Sequence, residues 1–341
     1  MKKRDVLLLV FLMSVSGLLV AFSSRSKLGA YNGLVLAENT IIPSLLPVLI
    51  IFMLVMKTSA KDVVSKAFGL VPLYLFRLPS VTSSVILFGL IGGYPTGALL
   101  TYELMKNEEI DEKQARCLLR FNFCGGCGFI ITGVGVGVLH SQKAGVILFL
   151  SSLLSSVVIG AVLSVFNDKP DREYYSYSSP INIGDALNTA TSSAMNSVLN
   201  ITAYIILFSA IAGIVDIPKF IMPVLEITNG VCKNSFSLAE LSAYLSFGGL
   251  CIHLQLLPIV INSKMKYLDF LIFRVIGALL SYVITKIILF FFPVDISVFS
   301  NISNQQAVFS SLNMSLSFLM IVGAVVLILD INERKRIVDK V

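Results

Sequence analysis

The segment Phe88-Gly-Leu-Ile-Gly-Gly-Tyr-Pro-Thr-Gly-Ala98 interrupts an otherwise apolar part of the chain. An apolar run from Val81 to Ile91 leads into it, and a second run from Ala98 to Met105 leads out of it. The glycines and the proline between these runs disfavour a continuous helix. The segment is therefore predicted to form two short helices that meet at a break.

The composition places this break inside a membrane. Of the 341 residues, 56% are hydrophobic and 13% are charged, with a mean hydropathy of +0.87. Soluble domains carry roughly 25% charged residues, so the chain is predicted to be an all-α, polytopic membrane protein. The net charge of +6 fits basic loops at an anionic leaflet. The basic residues are spread along the chain and tryptophan is absent, so no nucleic-acid partner is expected.

A helix break at membrane depth predicts a binding site. Hydrocarbon offers nothing to the backbone N–H and C=O groups that a break releases. Such breaks therefore occur where protein buries them or where they line a watery cavity. Two kinked helices in a protein without a transport role are the alternative.

Cysteine and histidine are too few and too scattered for a metal centre or a redox site. The five cysteines lie mostly in apolar runs and are expected to be reduced and buried; they are residues 117, 124, 127, 232 and 251. Cys124-Gly-Gly-Cys127 lacks the context of a redox motif and is interpreted as small residues for close helix packing. No cofactor and no metal are expected.

The chain is predicted to fall into two repeats. Residues 1–27 form an N-terminal membrane span, or a signal peptide cleaved near Ala21-Phe-Ser23. A first repeat covers 28–166, a polar linker 167–182 and a second repeat 183–292, with a last span and a basic tail in 293–341. The second Gly-Gly pair places Gly249 156 residues after Gly93, and the features between follow in the same order.

The number of passes predicts that the repeats are inverted. Three segments of the first half are expected to cross the bilayer, and the broken elements are expected to form two broken or re-entrant helical hairpins. An odd number of crossings puts the second repeat on the opposite face. Inverted repeats with paired broken helices are typical of secondary transporters whose site lies at the midplane. The basic tail conflicts with the positive-inside rule in this arrangement, which leaves its orientation open.

Several motifs together resemble a known family, the YlbJ (SpoVV) type of sporulation integral membrane protein. The motifs are Pro43-Ser-Leu-Leu-Pro47, Gly92 to Ala98, the charged helix from Glu108 to Arg116, Phe121-Asn-Phe123 and Gly248 to Gln255. This family carries the nucleoside recognition, or gate, domain that also occurs in concentrative nucleoside transporters and in the ferrous iron transport B membrane domain. One departure is Cys124-Gly-Gly-Cys127, where an Asn/Ser/Pro type of break is expected.

The resemblance implies a multi-pass transporter of the bacterial inner membrane, or of the outer forespore membrane during sporulation. Its implied solute is dipicolinic acid, a small aromatic dicarboxylate, carried by alternating access. A transporter of nucleosides or other small metabolites and a non-transporting sporulation scaffold are the alternatives. The chain has no Walker A, HExxH or GxSxG motif, so no enzymatic activity is expected. A homo-oligomer stays open.

The solute is expected to contact the breaks themselves. Helix N-termini near Thr96 and Leu250 present free N–H groups and a positive dipole end to an anion. The backbone is expected to approach the solute along the first and second breaks, at Gly92, Gly93, Tyr94, Pro95, Thr96, Gly97, Gly248 and Gly249.

Polar side chains near the breaks complete the predicted site. Arg120 and Arg274 could hold carboxylates, although snorkelling, or pairing with Asp269 or Glu103, explains them too. His253 and Gln255 could bond the solute or carry a proton, whereas a buried structural histidine is the alternative. The last candidates are polar liners that could equally be capping residues; they are Asn39, Asn196 and Asn200.

Overall fold

The computed structural model describes residues 3–167, 182–215, 217–233 and 236–294, and this part is helical without a strand. Most of the predicted linker 167–182 and nearly all of the predicted last span and tail 293–341 lie outside the described residues. The α-helices are α1 Lys3–Ala21, α2 Ser23–Leu36, α3 Ile42–Met56, α4 Ala60–Phe68, α5 Thr82–Gly92, α6 Tyr94–Lys106, α7 Glu112–Phe121, α8 Gln142–Ser164, α9 Ile183–Ile214, α10 Met222–Leu225, α11 Ile227–Lys233, α12 Leu238–Phe247, α13 Leu250–Asn262 and α14 Tyr267–Phe291. Three π-helical segments are π1 Ala37–Ile41, π2 Pro72–Phe76 and π3 Gly128–Val138.

The helix lengths confirm an all-α, multi-pass membrane protein. Within the described ranges, four segments are long and apolar enough to cross a bilayer: α8, α9, α14 and the α12–α13 segment Leu238–Asn262. Two bent pairs raise this number to six if each counts as one span, α1 with α2 and α3 with α4. The bends measure 95° and 87°.

The first predicted break is a hairpin. Gly93 has a φ of +112°, a conformation that suits glycine, between the end of α5 and the start of α6. Gly89 and Gly97 both abut the side-chain amide of Asn122. Residues eight apart on a straight helix lie about 12 Å from each other, so α5 and α6 must fold back around this amide. The amide nitrogen of Asn122 donates to the carbonyl of Val85 at 2.9 Å.

The second break keeps its two helices in one extended segment. Gly248 and Gly249 have φ values of +87° and +77° between α12 and α13. The 25 residues from Leu238 to Asn262 still pass as a single membrane-spanning segment. His253 Nε2 lies 2.9 Å from the carbonyl of Phe247, the last residue of α12, and so links the two sides of the break. Both predicted breaks are therefore present, but only the first folds back as a hairpin.

The helix bounds follow the predicted repeat. α6 and α13 each contain 13 residues, and their first residues lie 156 positions apart. α5 and α12 precede them at nearly the same offset. The opposite orientation of the two halves across the bilayer stays a prediction, as do the domain boundaries.

A third interruption lies between α7 and π3. Residues 122–126 are non-helical and buried, in the region of the Cys-Gly-Gly-Cys motif. Gly126 packs directly on the backbone of Gly92 and Gly93. The Cys124-Gly-Gly-Cys127 motif therefore lies at a third helix break. Its glycines allow this break to approach the first hairpin closely.

α8 is the scaffold on which these breaks rest. One of its faces carries the buried residues Ser151, Ser152, Ser155 and Ser156. Ser155 donates to the carbonyl of Gly277 on α14 at 2.8 Å, and Ser156 donates to the carbonyl of Phe123 at 3.1 Å. Small residues let helices approach closely in membranes, and hydroxyl groups bond across them.

Candidate functional site

A cavity lies where the breaks of the two halves meet. Its wall contains Ile91 to Pro95 of the first break, Gly126 to Phe129, the segment Glu226 to Thr228 and the first turns of α13. α3 and α9 close the remaining sides with apolar residues such as Leu45 and Ile205. The free space measures about 670 Å³ with the mouth included. The first glycine pair, Gly92 and Gly93, lines this cavity, whereas Gly248 and Gly249 of the second pair do not.

Three helix N-termini converge on this cavity. Tyr94 and Pro95 at the start of α6 line it, as do Gly128 and Phe129 at the start of π3 and Cys251 and Ile252 in the first turn of α13. The first four N–H groups of a helix lack partners within that helix, and its N-terminal end carries a partial positive charge. The cavity thus combines a mainly apolar wall with backbone groups that suit oxygen atoms of an anion.

The fully buried Glu226 is the most prominent polar side chain of the wall, and sequence reasoning missed it. The backbone N–H of Thr228 donates to its Oε1 at 2.8 Å. Glu226 is the only acidic residue between Asp216 and Glu240, within a mainly apolar run. An isolated carboxylate in such a run was the available signal.

The structure brings most of the predicted backbone residues to the cavity or directly behind it. Gly92, Gly93, Tyr94 and Pro95 line the cavity. Behind this wall, Thr96 is fully buried, with no hydrogen-bond partner for its hydroxyl among the described residues.

The remaining glycines of the breaks pack against neighbouring elements. Gly97 abuts Asn122, Gly248 packs on the rings of Phe123 and Tyr94, and Gly249 packs on the backbone at Ile227.

Gln255 lies in the cavity wall, whereas His253 does not. The side-chain nitrogen of Gln255 is buried and has no hydrogen-bond partner within the described ranges. His253 is fully buried among aromatic rings, and its Nδ1 lies 3.2 Å from the Tyr267 hydroxyl. With its other nitrogen on Phe247, His253 is placed as a structural residue, the alternative given from the sequence.

The two arginines lie together but outside the cavity. Arg120 pairs with Asp269 at 2.6 Å, one of the two partners considered from the sequence. Arg274 is 2% exposed, donates to the carbonyl of Arg120 and stacks on Phe123, with 4.3 Å between its guanidinium carbon and the ring centre. The carboxylate clamp expected from these arginines is therefore corrected, because both side chains are engaged by protein groups.

The three asparagines are also placed away from the cavity. Asn39, Asn196 and Asn200 are exposed. On α9 the inward face repeats every fourth residue through Ala190, Ala194 and Val198, so Asn196 and Asn200 lie on another face. The expectation of polar liners at these three positions is corrected.

The cysteines behave as the sequence suggested, with one exception. Cys117, Cys124 and Cys251 are buried free thiols, whereas Cys127 is only partly buried. Cys127 and Cys251 line the cavity, so the Cys-Gly-Gly-Cys motif contributes to its wall. The side chain of Cys232 lies outside the described part.

Comparison with known proteins identifies one relative. No family profile and no solved structure match the chain. The chain is 23% identical over 228 residues to the sporulation integral membrane protein YlbJ of Bacillus subtilis (strain 168). The match covers 61% of this chain and 56% of that protein, so the chain spans little more than half of the relative's length. The similarity confirms the resemblance to the YlbJ type, while the nucleoside recognition domain stays a prediction.

Proposed function

We propose that this YlbJ-type integral membrane protein transports a small organic anion across the membrane through the cavity between its broken helices. The observation that carries the proposal is the convergence of three helix N-termini, those of α6, π3 and α13, on one cavity. Irregular backbone at membrane depth is tolerated where it lines a cavity. In secondary transporters, broken helices of two related repeats supply such sites.

The chemistry of the wall favours an aromatic carboxylate as the solute. Apolar side chains such as Leu45, Ile205 and Ile252 present a surface for a ring. The helix N-termini lie in the same wall and suit carboxylate oxygens.

Dipicolinic acid is the proposed solute, and spore formation is the proposed setting. Dipicolinic acid has one aromatic ring and two carboxylates, which match the two properties of the wall. The relative's name places that protein in sporulation. The outer forespore membrane is the proposed location, and the proposed activity is transport without chemical conversion.

A nucleoside is the second candidate. Glu226 and Gln255 both lie in the wall. A neutral solute with several hydroxyl groups would donate hydrogen bonds to the Glu226 carboxylate and would not be repelled by it. A non-transporting scaffold in sporulation is the third reading.

Uptake into proteoliposomes tests the proposal. The purified protein would be offered labelled dipicolinate, the monocarboxylate picolinate, the neutral diamide of dipicolinate and uridine. We expect uptake to fall in that order, because each carboxylate lost removes a partner of the helix N-termini. Uridine transport without dipicolinate transport would favour the second candidate, and no uptake of any solute would favour a scaffold.

Two leucine variants test whether the solute passes through the cavity. Cys127→Leu adds volume to the cavity wall, whereas Val136→Leu places the same leucine side chain on an exposed face of π3. If the added side chain crowds the bound solute as it would crowd a packed core, at a cost of about 1–3 kcal/mol, binding to the first variant should weaken by roughly 5- to 150-fold. Equal uptake by both variants would place the pathway elsewhere.

A further inference from the structure

Transport of an anion does not by itself explain why the cavity wall contains the carboxylate residue Glu226. It is 0% exposed, and it is one of the cavity-lining residues, in the short link between α10 and α11. Among the described residues of the wall, it is the only aspartate, glutamate, lysine, arginine or histidine. An ionised carboxylate in the wall would repel an anionic solute bound a few ångströms away.

Protonation removes this conflict. A buried carboxylate is costly in its charged form, and the cost rises when a second negative charge comes close. A proton on Glu226 cancels the repulsion, so that the anion and the proton favour each other's binding. Ionisable residues at membrane depth commonly serve proton pathways.

The surrounding titratable groups leave Glu226 as the candidate. The groups that share its wall are the Tyr94 hydroxyl and the thiols of Cys127 and Cys251. His253 on α13 is held by Phe247 and Tyr267.

The other elements packed nearby carry their titratable groups elsewhere. On α2, Arg25 and Lys27 are exposed, and on α12 Glu240 is exposed and caps its own helix. π3 carries no titratable residue. α11 itself contains Cys232 and Lys233, whose side chains lie outside the described part.

We propose that Glu226 binds the proton that travels with the organic anion, so that the protein is a proton–anion symporter. The inference rests on the proposed function. One O–H bond forms when the Glu226 carboxylate takes a proton from the side to which the cavity is open. The same bond breaks when the proton returns to water on the other side, after the anion has left. The solute itself is not altered.

The test uses the full chain in proteoliposomes with the membrane potential clamped at zero and labelled dipicolinate as probe. With one proton per anion, a gradient of one pH unit, alkaline inside, should drive roughly tenfold accumulation at steady state, since one unit is tenfold in proton activity. Glu226→Gln cannot take a proton but keeps the shape and neutrality of the protonated side chain. We expect it to exchange dipicolinate and to accumulate none, whereas Glu108→Gln on an exposed loop should behave as wild type.

The outcomes separate this inference from the proposed function. Wild-type uptake that ignores the pH gradient, or tenfold accumulation by Glu226→Gln, overturns the inference and leaves the transporter standing. No uptake of dipicolinate by the wild-type protein overturns both. If Glu226→Gln does not even exchange dipicolinate, the conservative variant Glu226→Asp is measured instead. We expect Glu226→Asp to retain accumulation driven by the pH gradient. Exchange of dipicolinate by Glu226→Asp without accumulation would contradict the inference.

Discussion

The hydroxyl of Tyr94 donates a hydrogen bond to the backbone carbonyl of Leu245. Tyr94 is the first residue after the break of the first half, and Leu245 lies in the last turn before the break of the second half. The ring of Tyr94 also packs on Phe123, with 4.9 Å between ring centres, and Phe123 contacts Gly248. One aromatic pair therefore joins the two breaks behind the cavity.

Removing the Tyr94 hydroxyl should loosen this junction. Tyr94→Phe keeps the ring but leaves a buried carbonyl without its donor, which costs about 1–3 kcal/mol. We expect a lower melting temperature in detergent and weaker binding of dipicolinate. Tyr74→Phe is the matched control, because Tyr74 is 78% exposed. Equal melting temperatures for the two variants would show that the bond contributes nothing.

A side chain at Gly93 should strain the first break. A Cβ added there would lie 3.1 Å from the backbone nitrogen of Gly126, at a φ of +112° that non-glycine residues avoid. Such strain costs about 1–3 kcal/mol, and we expect Gly93→Ala to lower both the melting temperature and the uptake of solute. Gly17→Ala is the control, since nothing lies within 4 Å of the added Cβ. Wild-type behaviour of Gly93→Ala would argue against a rigid break.

The ion pair of Arg120 should not affect solute affinity. Arg120 and Asp269 are each about one-third exposed, and neither lines the cavity. A pair of this exposure contributes about 0–1 kcal/mol to stability. We expect Arg120→Gln to bind dipicolinate within about twofold of wild type, measured by equilibrium binding, since twofold is near 0.4 kcal/mol. A loss of tenfold or more would restore the carboxylate clamp predicted from the sequence.

Two lysine–glutamate pairs should differ in strength because they differ in burial. Lys61 and Glu109 lie 2.6 Å apart with side chains 7% and 6% exposed, whereas Lys57 and Glu103 are 19% and 24% exposed. Removing one partner of a buried pair costs about 3–5 kcal/mol because the other charge remains buried. An exposed pair contributes about 1 kcal/mol or less.

Methionine variants measure this difference. We expect Lys61→Met to lower the melting temperature much more than Lys57→Met. Adding Glu109→Gln to the first variant should restore part of the loss, because it removes the unpaired charge. Equal melting temperatures for Lys61→Met and Lys57→Met would contradict the prediction.

The sequence was sufficient to predict the class of fold and the position of the breaks. Glycine and proline act on the local backbone, so Gly93 and the pair Gly248 and Gly249 could be placed without tertiary information. Whether a break folds back depends on its neighbours. Asn122 lies between the arms of the first hairpin, while His253 spans the second break. These contacts join residues whose proximity only the folded chain reveals.

Side-chain roles were harder to predict than backbone features. The direction in which Arg274 or Asn200 points depends on which face of its helix is packed, and a long apolar helix gives a weak periodic signal. Glu226 was missed because it lies in a short link outside the repeated motifs.

The serine face of α8 has a consequence for the conditions under which the fold persists. Its bonds to Gly277 and Phe123 join neutral hydroxyls to neutral carbonyls. Such bonds are indifferent to ionic strength and to acidity, unlike pairs of full charges. The central packing of the molecule can therefore keep one geometry while the water on its two sides differs in composition, as it must wherever a gradient is maintained.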